Sequence, residues 1–159
     1  MAALDLARAG FPLNTMIADS AVRWSRRGRA AILDRLRVNA ASGAKPFGLP
    51  EEAALGDAVA HAMDIRRPLG GSRPTPPAAF NPAAGFFAGA RWPLSIPIRG
   101  EIRKRIDGLR LVADDVGWSP GQGPEVRGSR EALMLLLTGR PVGTDELTGA
   151  GAEQLHSRL

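Results

Sequence analysis

Asp57-Ala58-Val59-Ala60-His61-Ala62-Met63-Asp64-Ile65-Arg66-Arg67-Pro68-Leu69-Gly70 is the stretch on which the reading of this chain turns. At about 100° per residue, Asp57, His61 and Asp64 fall within roughly 60° of one another on a helix surface, and Leu55, Val59 and Ala62 occupy the opposite side. Pro50-Glu51-Glu52 opens that helix with a first-turn proline and two carboxylates suited to the dipole. Pro68-Leu69-Gly70-Gly71 stops it, so the spacing predicts a helix over about 50–65. A carboxylate and an imidazole four residues apart can reach one divalent ion, and Asp64 can orient the imidazole from behind. The same spacing is also the ordinary solvated helix pair, and two ligands do not complete a zinc site. Arg66 and Arg67, at the C-terminal end, can clamp a substrate carboxylate in bidentate fashion. Equally, they can interact with the helix dipole and with Asp64.

Outward from this segment, the upstream chain is helical. Residues 12–27 carry Leu13, Met16, Ile17, Ala21 and Trp24 at three- and four-residue steps. A second helix is predicted over 29–41, with Ile32, Leu33, Leu36 and Ala40 inward and Arg29, Arg35 and Arg37 outward. Downstream, the proline-rich stretch 68–82 is loop-like and leads into a short helix near 77–90, whose Phe80, Phe86 and Phe87, with Trp92, belong in a core. Residues 92–104 read as a linker. After it, 108–113 alternates like a strand, Asp114-Asp115 turns, and 117–119 and 125–127 are short strand candidates around Pro120-Gly121-Gln122-Gly123-Pro124. Ser129 with Ala132 and a run of Leu and Met reads as a helix over 129–138, Gly139 follows its last turn, and Leu133-Met134-Leu135-Leu136-Leu137 implies burial on most sides. A polar terminal helix near 149–158 puts His156 at the surface. The fold class is α+β: a helical region 1–91, a linker 92–104 and a small α/β unit 105–159.

Composition narrows the function classes. With 159 residues and 44% apolar content the chain can bury a core. It has no apolar run long enough to span a membrane and no basic-then-apolar leader, which predicts a cytoplasmic protein. The absence of Cys excludes disulfides, a thiolate nucleophile and a Cys zinc site. Only two His are present, so no Ser-His-Asp arrangement can be argued, and no catalytic residue is assigned. The net charge of +5 resides in the first fifty residues. This basic third can face nucleic acid, or it can be the solvated side of two helices.

His61-Ala-Met-Asp-Ile-Arg-Arg-Pro-Leu-Gly70 resembles the His-x-x-Asp-Ile-Arg-Arg-Pro-Leu-Gly signature of the mycothiol-dependent maleylpyruvate isomerase-like family, an actinobacterial branch of the DinB-like metal-binding superfamily. The resemblance continues through Arg8-Ala-Gly-Phe11, Gly108-Leu-Arg-Leu111, Gly123-Pro-Glu-Val-Arg-Gly128, Glu131-Ala-Leu133, Gly139-Arg-Pro141 and Asp145-Glu-Leu-Thr-Gly149. It implies a DinB-like helical bundle followed by a small unit resembling sterol-carrier-type domains. The implied cofactors are a divalent metal, zinc foremost, and mycothiol as thiol cosubstrate acting on a small-molecule electrophile. The implied metal ligands are a His on an early helix and an acid and a His four apart on a later one. The latter two fall on Asp57 and His61, with Asp64, Arg66 and Arg67 supporting those ligands from behind or binding the substrate.

The early helix should precede Arg8-Ala-Gly-Phe11, yet only seven residues lie before that motif and no His precedes His61. The expectation is therefore a start assigned too late or a shortened, incomplete copy. An apolar groove beside 12–27 and 50–65 would then be covered by a partner or a second copy of the chain. Asp57 and His61 are expected to face the bundle rather than bulk water. The alternative function is a non-catalytic basic helical module that binds nucleic acid or a protein partner; membrane association is not expected.

Overall fold

The structure, a computed structural model, describes residues 13–45, 49–71, 73–91, 94 and 102–159, with the side chains of 13–17 left out. The fold is α+β: helices and a two-stranded parallel sheet. The chain divides into two compact units, Met1–Lys45 and Pro46–Leu159.

The first unit contributes helices α1 (Leu13–Ser25) and α2 (Gly28–Ser42). Both match the predicted spans to within two residues, but the burial does not follow. Helix α2 buries none of its residues, and Leu33, Leu36 and Val38 lie exposed. The expectation that Leu33 and Leu36 point inward is thus corrected. Arg27 lies over the Trp24 ring at 4.5 Å, and Arg37 pairs with Asp34 at 2.9 Å, so part of the basic surface is satisfied locally.

The second unit holds the core. Helix α3 (Glu51–Arg66) buries Gly56, Val59, Ala60 and Met63 as one stripe. It packs on α4 (Pro77–Gly89), which buries Phe80, Ala83, Ala84 and Phe87. The approach is close: a Cβ on Gly56 would run into the Phe87 ring. Phe80 and Phe87 are core residues as expected and Phe86 is half-buried, while Trp92 lies outside the described residues. A short helix α5 (Ile102–Arg105) occupies part of the stretch read as a linker; residues 92, 93 and 95–101 lie outside the description. Because α3 and α4 share one buried cluster with the C-terminal elements, the compact division falls at 45/46 and not at 92–104.

Strands β1 (Arg110–Ala113) and β2 (Glu125–Gly128) sit where the alternation and the Glu-Val-Arg segment place them. They run parallel, with Arg110 opposite Glu125 and Ala113 opposite Gly128. Parallel neighbours ordinarily need a crossover of about a dozen residues or more, usually through a helix. Here residues 114–124 make the crossover without one. The chain turns back along one edge of β1, bridging Ala113 to Trp118 and Arg110 to Gly121, and then passes to the other edge. That passage brings it against the carbonyls of Leu109 and Gly108, where Cβ atoms on Gly121 and Gly123 would collide; both glycines also have positive φ. The predicted strand at 117–119 is therefore a single bridge at Trp118, and Trp118 stacks edge-on against Phe80 at 5.3 Å.

Helix α6 (Arg130–Leu137) follows, with every residue from Ala132 to Thr138 buried, as its unbroken apolar run predicts. The terminal helix α7 (Ala152–His156) is shorter than expected. It anchors itself with fully buried Leu155, and His156 is half-buried.

The start of α6 is heavily capped. Ser129 Oγ accepts the Ala132 N–H at 3.1 Å, and Asp115 accepts both the Arg130 N–H and its Nε–H at 2.8 Å. Arg130 also donates to the Thr75 carbonyl at 2.8 Å, while Glu131 accepts the Thr75 N–H at 3.1 Å, tying the 73–76 loop to the same turn. Burial works against ionised Asp115, but the hydrogen bonds from the Arg130 side chain and backbone outweigh it and hold the carboxyl below its ordinary value. A carboxyl lowered on folding stabilises the fold fully above its unfolded value of about 3.9, and that contribution is lost as pH falls through the lower folded value. Asp115→Asn should therefore be less stable than wild type at pH 7, and the gap should close on acidification below about pH 4. Chemical denaturation at a series of pH values checks this; a gap independent of pH would contradict it.

Candidate functional site

Helix α3 buries its Gly56, Val59, Ala60 and Met63 stripe against α4, which turns Asp57, His61 and Asp64 to the opposite side. The three come together as their spacing predicts. His61 Nδ1 lies 3.1 Å from Asp64 Oδ2, and His61 Nε2 lies 3.4 Å from Asp57 Oδ1. Their direction differs from the expectation: the side chains of His61 and Asp57 are 63% and 74% exposed, so this face meets solvent. The physical reason is the Gly56–Phe87 approach, which commits the other side of α3 to the core.

A residue 76 positions away completes the cluster. Arg140 donates from Nε to Asp64 Oδ1 and from Nη2 to Asp64 Oδ2, both at 2.6 Å, a two-pronged carboxylate–guanidinium pair. The buried helix positions this arginine. Gly139, with φ of 67°, ends α6 in a left-handed turn; its N–H donates to the Leu136 carbonyl at 3.1 Å and the Arg140 N–H to the Leu135 carbonyl at 2.9 Å. Arg140 Nη1 also reaches the Thr138 carbonyl at 3.3 Å. The hydrogen bonds from Arg140, above all, hold the Asp64 carboxyl below the ordinary carboxylate range against a smaller burial effect. The same bonds raise the Arg140 guanidinium further.

The two arginines of the motif do not join the cluster. Arg66 donates from Nε to the Ala62 carbonyl at 3.2 Å and from Nη2 to Thr75 Oγ1 at 3.5 Å. Arg67 Nη2 contacts both oxygens of Glu146 at 2.9 and 3.1 Å, and Glu146 Oε2 also accepts the Gly143 N–H at 2.9 Å. Both guanidiniums thus tether the end of α3, Arg66 to the 73–76 loop and Arg67 to the segment after α6. Arg140 and Glu146 are the residues that spacing arguments missed. The only signal was their place in Gly139-Arg-Pro141 and Asp145-Glu-Leu-Thr-Gly149, which says nothing of their partners.

Chemically, the arrangement is a directed imidazole. If the shorter contact, to Asp64, takes the Nδ1–H, the Nε2 lone pair faces the Asp57 carboxylate. Two electron-rich atoms at that distance favour a cation between them, either a proton or a metal ion. Among the described residues no group of three or more His, Cys, Asp or Glu is arranged to hold a metal ion, and no helix is long and apolar enough to cross a membrane. Compared with family models, curated proteins and solved structures, the chain matches none.

Exposed ion pairs couple by about 0.2–1 kcal/mol, and the two-pronged Asp64–Arg140 geometry belongs at the upper end. A double-mutant cycle of Asp64→Ala and Arg140→Ala, read by denaturant unfolding, should return a coupling of about 1 kcal/mol. Additive single effects would show that the pair is geometric only.

Proposed function

We propose that this chain is a divalent-metal-binding protein of the mycothiol-dependent isomerase or thiol-transferase type, with Asp57 and His61 supplying two metal ligands. On this reading the helices of 1–91 are part of a DinB-like bundle and 105–159 is a unit of sterol-carrier type. The substrates are mycothiol and a small-molecule electrophile. The observation that carries the reading is the orientation of His61: Asp64 holds Nδ1, and Nε2 and Asp57 Oδ1 converge 3.4 Å apart on solvent. A carboxylate behind the imidazole is the usual support of a metal-bound histidine, fixing its tautomer and raising its basicity. Here Asp64 does that work and is itself locked by Arg140.

The donors suit zinc in kind, one imidazole nitrogen and one carboxylate oxygen. In number they fall short, because zinc sites ordinarily draw three or more ligands from protein and the described residues bring two together. A bound divalent ion would lower the pKa of a thiol beside it, giving thiolate near neutral pH. The part assigned to this chain is narrower: Asp57 and His61 bind, Asp64 orients, and Arg140 holds Asp64 ionised. Arg66 and Arg67 are assigned to holding the end of α3 and not to clamping the substrate.

Isothermal titration with zinc should give weak, saturable binding to the wild-type chain. His61→Ala should abolish it, and Asp64→Asn should weaken it by about tenfold or more through loss of the supporting carboxylate. Unchanged affinity in His61→Ala, or no binding by the wild type, would overturn the proposal.

A further inference from the structure

A second candidate site lies in the C-terminal half of the molecule, far along the chain from Asp57 and His61. Residues at the end of α4, around α5 and beside β1 line an open cleft of about 480 Å³. Its walls include Ala88, Ile106, Leu109, Leu111 and Pro120, and one charged side chain that lines it is Arg103. The Nε–H of Arg103 is buried and finds no acceptor among the described residues. A buried donor on a cation is costly to leave unpaired, and carboxylates are the acceptors that guanidinium pairs with most strongly. The volume falls within the usual range of small-molecule sites, which combine apolar walls with a few polar groups.

The charge around the cleft narrows the ligand. Arg103, Lys104 and Arg105 follow Ile102 in α5, and among the described residues the carboxylate lining the cleft is Asp107. Arg158 Nη1 donates to the carbonyls of Arg105 at 2.8 Å and of Asp107 at 2.7 Å, which pins this corner to the C-terminal residues and fixes the frame. The balance is positive, but the nearby Asp107 opposes a second negative charge on the ligand. We infer that this cleft binds a small organic monoanion, a carboxylate with a compact apolar body, through the Arg103 guanidinium that lines it and the apolar walls.

Octanoate is the probe, titrated into the intact chain by calorimetry, with acetate and octylammonium as controls for the apolar body and the charge. Two variants test the site. Arg103→Gln removes the charge while keeping length. Gly89→Leu fills the cleft from its edge, where a Cβ meets no atom within 4 Å and the leucine is therefore tolerated. Circular dichroism confirms that each variant folds. Saturable octanoate binding is expected, weakened about tenfold or more by Arg103→Gln and lost in Gly89→Leu, with neither control binding. Absence of saturable octanoate binding, equal binding of octylammonium, or affinity unchanged by both variants would overturn the inference.

Discussion

A helix with no polar face can persist in water only if other elements surround it, and α6 imposes that condition on the whole second unit. Seven consecutive residues, Ala132 to Thr138, are buried, so α3, α4, β1 and β2 all pack against one short helix. Its ends are correspondingly tight. At the start, Ser129 and Asp115 accept from the first-turn N–H groups, and Arg130 and Glu131 hold the Thr75 loop. At the other end, the left-handed turn at Gly139 delivers Arg140 to Asp64. The orientation of His61, exposed on the surface, is therefore set through two hydrogen-bonded steps by a helix whose residues from Ala132 onward are all buried.

The contrast with α2 makes the same physical point in reverse. Its apolar residues follow a helical repeat, yet Leu33 and Leu36 are exposed and the helix buries none of its residues. Amphipathic spacing determines that a helix can form; burial needs a neighbour of complementary shape. In α3 the neighbour exists, and a glycine at 56 lets the Phe87 ring come close enough to exclude water.

The sequence therefore disclosed local features far better than long-range ones. Helix spans, the buried run within the 129–138 helix and the shared side of Asp57, His61 and Asp64 all follow from periodicity within a few turns. The parallel pairing of β1 and β2 did not, because the glycines at 121 and 123 read as a turn and their role as a passage past Gly108 and Leu109 appears only in three dimensions. Arg140 was hidden for a similar reason: nothing in a sequence ties it to a carboxylate 76 residues away until α6 and α3 are packed. Arg66 and Arg67 could be read as a substrate clamp or as structural partners at the helix end; a guanidinium near a folded carboxylate or carbonyl takes that partner first, and the structure supplies both.

The central claim is that Asp64, held by Arg140, fixes which nitrogen of His61 is free. Nitrogen-15 NMR of the His61 ring, recorded at alkaline pH where the imidazole is neutral, reads this directly. The account predicts the Nδ1–H tautomer in the wild-type chain, with the Nε2 lone pair directed at Asp57, and loss of that preference in Asp64→Ala. A predominant Nε2–H tautomer in the wild type would contradict it.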